Sequence, residues 1–248
     1  MRAMVRLLGL ALLAALALQL YFVARIAMMA VLDPESTAFQ RSEAYLITKN
    51  TGALKWRQQW VPYAGLSDNL KRAVIASEDA SFIVHEGVDM AALEKAWEKN
   101  ANAEQRAAQS ASRAAAKSSA LNVKPPKIIG GSTITQQLAK NLFLSGERTL
   151  LRKGQELVLS LLLEALLSKQ RILEIYLNNV EWGEGVFGAE AAAQHYFRKP
   201  ASKLSAYEAA RLAVMLPRPK YFETRPQSGY LASRASTISA RMGGVELP

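Results

Sequence analysis

Thr133, Gln136, Gln137 and Lys140 recur at the spacing of one helix face, directly after Ser132 and the pair Gly130-Gly131. A hydroxyl, two amides and an ammonium would then gather at the start of a helix, where free backbone N–H groups already favour an anion. The two glycines let the backbone approach a ligand closely. Ile134, Leu138 and Leu142 fall on a different face and should pack inward. An ordinary capped and solvated face would explain any one of the polar residues, and explains their convergence less well. Anion binding and a plain polar face both stand at this point.

The next stretch repeats the theme. Arg148, Arg152 and Glu156 are spaced i, i+4, i+8, and Lys153 lies three before Glu156. Cations around one carboxylate keep it ionised and hold it in place. Leu157, Leu161 and Leu162 are expected on the buried side. A single arginine pair of this kind would read as a salt-bridged surface. With Lys140 included, four cations over a short stretch suit a diphosphate whose charge grows as it departs.

Glu78-Asp79 comes where a helix over 67–77 should end. A carboxylate there meets the negative end of the helix dipole, which raises its pKa slightly and makes it a better base. Phe82 and Val84 could supply apolar walls. Acids at helix ends are common on surfaces, so spacing alone does not make Glu78 catalytic. No Ser or Asp constellation is evident around His85 or His195, and structural roles are expected for both. The run from Gly183 to Gly188 fits G-x-G-x-x-G, with Glu208 beyond it. That fingerprint needs a preceding strand and a βαβ unit. Here a helical pattern precedes it, so a glycine-rich turn between helices is the better reading.

The elements that must carry these residues are mainly helices. Periodicity and capping signals predict them over 67–77, 90–99, 132–144, 149–167, 168–178, 189–196 and 230–242. Ser205 and Glu208 form a capping box that starts one more, stopped by Pro217. A short strand is expected at 44–48, followed by the turn residues Asn50-Thr51-Gly52. Residues 100–127 are rich in Ala, Ser, Lys and Arg and close with Pro125-Pro126. They can form helix but have little to bury, which predicts a solvated, mobile insertion.

Composition limits the setting. The formal net charge of +10 calls for an anionic partner. The absence of cysteine excludes disulfides, thiolate metal sites and cysteine nucleophiles. Residues 7–24 carry no charge and would span roughly 27 Å as a helix, close to the hydrocarbon thickness. Arg2 and Arg6 precede this run, so the tail should stay cytoplasmic and the rest be exported. Arg25 could snorkel to the far interface while 26–32 continue along the membrane surface. A cleaved signal peptide with Ala15-Leu16-Ala17 as its site is the alternative, but the apolar run continues past it. Residues 1–32 thus read as stub and anchor and 33–248 as one catalytic domain; an exported domain argues against nucleic acid.

Five blocks now point to one family. Glu78-Asp79-x-x-Phe82-x-x-His85-x-Gly87 comes first, and the run from Gly131 to Asn141 fits G-S-T-I-x-Q-Q-x-x-K-N. Arg152-Lys153-x-x-Glu156, then Arg171-Ile172-Leu173-Glu174-x-Tyr176-Leu177-Asn178, and Glu208-Ala209-Ala210 through Pro217 follow in order. The chain resembles the monofunctional biosynthetic peptidoglycan transglycosylases of glycosyltransferase family fifty-one over essentially its whole exported part. That resemblance implies a mainly α, lysozyme-like, two-lobed domain behind a single transmembrane helix of the bacterial inner membrane, with the catalytic domain on the periplasmic side. It implies lipid II and the growing glycan strand as substrates, membrane lipid as a contact, and proteins of the division or elongation machinery as compatible partners. Glu78 would be the base and Glu156 a second essential carboxylate. Ser132, Thr133, Gln136, Gln137, Lys140, Asn141, Arg148, Arg152 and Lys153 would bind substrate. No dedicated metal site is expected, although Mg or Mn is compatible with such chemistry. No serine lies three residues before a lysine, so a transpeptidase nucleophile is not expected. The rival activity is a lytic transglycosylase or muramidase, which would cleave a neutral glycosidic bond and have no use for the cations.

Overall fold

The computed structural model describes residues 2–116, 131–147 and 149–248. In chain order its helices are α1 (Arg2–Met28), α2 (Ala38–Thr51), α3 (Asp68–Glu78), α4 (Met90–Ala116), α5 (Ile134–Phe143), α6 (Leu150–Leu166) and α7 (Lys169–Asn179). A small antiparallel hairpin follows, β1 (Glu181–Gly183) with β2 (Val186–Phe187), and then α8 (Ala189–Phe197), α9 (Ala206–Met215), α10 (Pro219–Glu223) and α11 (Gly229–Arg241). The domain is mainly helical, as the sequence predicts.

Two groups of helices share one contiguous core. α9 packs against both α3 and α11, and α5 packs against α6, α2 and α7. Leu70, Leu138, Leu163, Ile172 and Trp182 are among its fully buried side chains. Burying each large apolar side chain contributes roughly 1.5–3 kcal/mol relative to leaving it in water. The Trp182 ring N–H donates to the Leu212 carbonyl at 3.0 Å, so its polar atom is satisfied inside the core.

α1 is long and apolar enough to cross a membrane, and most of its length is exposed. Its last turns behave differently. Phe22 and Ile26 on α1, and Met29 just after it, share one face and are buried, with the Phe22 and Phe143 rings edge to face at 5.3 Å. The expected surface path for 26–32 is therefore corrected: that face docks into the domain, and Val31 and Leu32 stay outside. Arg171 fastens the joint. Its guanidinium donates to the carbonyls of Met29 (2.8 Å) and Leu32 (3.0 Å) and pairs with Asp33 (2.7 Å) and Glu174 (2.8 Å).

Three further expectations change. Residues 44–48 are helical, because Thr37 and Gln40 form a capping box and Ile47 points into the core. Tertiary packing outweighs the strand preference of Tyr45 to Thr48, and Gly52 ends the helix in the left-handed region (φ 73°). α4 does not stop at Lys99 but runs to Ala116, as alanine-rich composition permits without burial; residues 117–127 of the expected insertion lie outside the described residues. On α6 the buried positions are Glu156, Leu159, Ser160 and Leu163, while Leu157 and Leu161 are exposed. This helix is apolar on both sides and packs beside α1, so apolarity alone could not name its inner face.

The glycine run is a hairpin and a helix cap. Gly185 (φ 72°) and Gly188 (φ 81°) sit where an added Cβ would lie 2.2 Å from the Lys55 carbonyl oxygen and 2.6 Å from that of Asn178. Close backbone packing, not a dinucleotide, explains both.

Candidate active site

Glu78 is the last residue of α3, a helix started by the Ser67 hydroxyl and held by buried Leu70, Val74 and Ile75. Its carboxylate accepts from the Gln137 side-chain amide at 3.0 Å and from the Ser77 hydroxyl at 3.3 Å. The Gln137 carbonyl in turn accepts from the Tyr176 hydroxyl at 2.9 Å. Tyr176 is fully buried, and burial pushes its phenol well above the ordinary range, with Glu78 and Asp79 adding to the rise. It therefore stays a donor and fixes which end of the Gln137 amide faces Glu78.

Burial raises the pKa of Glu78. Asp79 adds to the rise, whereas Gln137, Ser77 and Arg234 oppose it. Desolvation thus does most of what the sequence assigned to the helix dipole. Phe82 is fully buried, but Val84 is 77% exposed and walls nothing.

Asp79 faces the other way. It accepts from the Ile134 backbone N–H (2.9 Å) and pairs with the His85 imidazole (2.9 Å). Ile134 is the first residue of α5, so Asp79 caps the helix that carries Gln137 and Lys140. Thr133 and Gln136 complete a capping box, and the Thr133 hydroxyl donates to the Gly87 carbonyl at 2.7 Å. These bonds stitch the first two sequence blocks into one unit. The roles of Asp79 and Tyr176 were hidden in sequence; their motif positions were visible, but their long-range partners were not. His85 is tied to an aspartate that sequence spacing did not single out.

A cleft of about 540 Å³ opens on the other side of α5. Ser132, Gln136, Gln137, Lys140, Asn141, Arg152, Lys153 and Glu156 line it, opposite Phe39, Ser42 and Leu46 of α2. Glu156 is buried, bonds Arg152 at 2.8 Å and pairs with Lys153. Lys140 is exposed as a residue, yet desolvation of its ammonium in the cleft pushes its pKa below the ordinary lysine value. Glu156 opposes this, and Arg152 and Lys153 reinforce it. Arg148 lies outside the described residues.

A second cavity of about 310 Å³ holds Glu78, Asp79 and Ser81, with Ser132 and Thr133 on its wall. Ser132 borders both cavities, and Gln137 lines the first while bonding Glu78. Gln137, which bonds the expected base, and Lys140, which lines the cleft with Arg152 and Lys153, therefore lie one turn apart on α5. Among the described residues no three His, Asp or Glu side chains gather in one place.

A desolvated carboxylate lining an open cavity, with cations one helix turn away along α5, suits group transfer to an alcohol with an anionic leaving group. The comparisons with known proteins give the particular family. Residues 46–243 match the model of the family described as Transglycosylase. The chain is 55% identical to a biosynthetic peptidoglycan transglycosylase of Burkholderia thailandensis, over 94% of this chain and 83% of the relative. Proteins of the same name from Burkholderia pseudomallei and Burkholderia multivorans are 53% and 51% identical, covering 94% of this chain and 83% and 86% of their own lengths. The chain belongs to the transglycosylase family.

Proposed function

We propose that this enzyme polymerises lipid II into β-1,4 glycan strands, with Glu78 as general base and the Lys140–Arg152–Lys153 cluster receiving the diphosphate. Glu78 takes the proton from the 4-hydroxyl of the acceptor's terminal N-acetylglucosamine. That oxygen bonds to the anomeric carbon of the donor as the carbon–oxygen bond to the diphosphate breaks. Configuration inverts from α to β, and undecaprenyl diphosphate leaves with the bonding pair. A raised pKa strengthens Glu78 as a base, and the preset cations take up negative charge as it grows. Glu156 holds Arg152 and Lys153 in place. Ser132, Thr133 and Gln136 shape the N-terminal end of α5 and Asn141 its last turn, both on the substrate cleft, and Arg148 joins Lys140 and Arg152 in receiving the diphosphate.

The observation that carries this reading is the Gln137 bridge, which ties Glu78 to the helix bearing Lys140. α1 anchors the chain, and the catalytic domain stands on the periplasmic face of the bacterial inner membrane. The exposed leucines 150, 151, 157 and 161 of α6, beside α1, face the interface with lipid. Incubation with lipid II and, separately, with finished glycan tests the reaction: strands lengthen from lipid II and finished glycan stays intact. Shortening of finished glycan would replace the synthase with a lytic enzyme.

A further inference from the structure

The cavity around Glu78 carries a cationic rim that the transfer reaction does not use. Lys95 and Lys99 lie one turn apart on α4, and Arg234 and Arg241 lie two turns apart on α11. Among the described residues none of the four makes an ion pair or hydrogen bond, although Arg234 is close enough to Glu78 to lower its pKa. The acids of the cavity are already engaged: Asp79 holds Ile134 and His85, and Asp89 accepts from the Ala92 N–H at 2.7 Å and from Ser81. Unlike Arg152 and Lys153, these cations have no carboxylate holding them to a point. They are spread along two helices, as separated single charges would require, and two are planar forks suited to carboxylates. No residue of α1 or α6 lines this cavity, so what enters it comes from the part of the substrate that points away from the anchor and its lipid.

We propose that this rim binds the carboxylates of the peptide carried by the acceptor, a specificity site that rests on the lipid II reading above. The test uses the full-length enzyme in lipid vesicles with two substrates, native lipid II and lipid II whose peptide carboxylates are converted to carboxamides. Wild type is compared with a Lys95→Gln/Lys99→Gln/Arg241→Gln variant; Arg234 is kept because it faces Glu78. Three exposed ion pairs predict a KM for native lipid II raised roughly fivefold to tenfold in the variant, narrowing as salt rises. On the amidated substrate the two enzymes should have equal KM. A penalty that persists after amidation would assign the rim to the diphosphate and overturn the proposal, as would a wild type indifferent to amidation. Should the variant not fold, the wild-type comparison of the two substrates still decides. No polymerisation of either substrate by wild type would instead refute the underlying function.

Discussion

The two cavities beside α5 solve opposite electrostatic problems. On the side proposed for the leaving group, Arg152 and Lys153 are clamped by a buried carboxylate, so positive charge is set in place beforehand. On the attacking side, one carboxylate is partly stripped of water and steadied by a neutral amide, so its proton affinity rises. Had Glu78 been paired with a cation as Glu156 is, its pKa would fall and its power as a base with it. Under the proposed function the difference gives the two glutamates separate roles: Glu156 would organise charge and Glu78 would move a proton.

The largest effect on stability should come from breaking the clamp. Glu156→Ala leaves Arg152 and Lys153 without their acceptor and costs on the order of 2 kcal/mol of stability; thermal unfolding and lipid II turnover should both fall. Lys140→Ala should leave the unfolding temperature in place and lower donor use by about tenfold, one charged contact being lost. That loss should show in kcat/KM. Gln137→Leu removes a hydrogen bond that lowers the pKa of Glu78. The acid limb of the pH–rate profile should then move to higher pH, while the same profile in Tyr176→Phe moves less.

The smallest effect concerns stability. A carboxylate whose pKa is raised in the fold binds more protons folded than unfolded, so it weakens the fold as pH climbs from its unfolded pKa through its folded one. Glu78→Gln should therefore raise the unfolding temperature at neutral pH and give no gain below the ordinary glutamate pKa. An unfolding temperature that drops at neutral pH would mean that Glu78 is structural.

Much of this was legible because the signals are local. Ser205 with Glu208 announces a helix start within four residues, and that box forms; Thr133 and Gln136, read as part of a ligand face, form a second one. The cations reach a common cleft because helical spacing puts Arg152 and Lys153 next to Glu156. What failed depends on distant partners. Residues 44–48 resemble a strand until Ile47 finds the core, and the inner face of α6 is ambiguous because α1 supplies a second apolar neighbour. Arg234 comes from the far end of the chain, and no motif connects it to Glu78.

The most direct test of the central claim is the turnover of lipid II at saturating concentration by Glu78→Gln, with KM measured alongside. As general base, Glu78 supplies about 10²–10⁴ of the rate, so kcat should fall by that factor while KM holds. Turnover close to that of wild type would contradict the account.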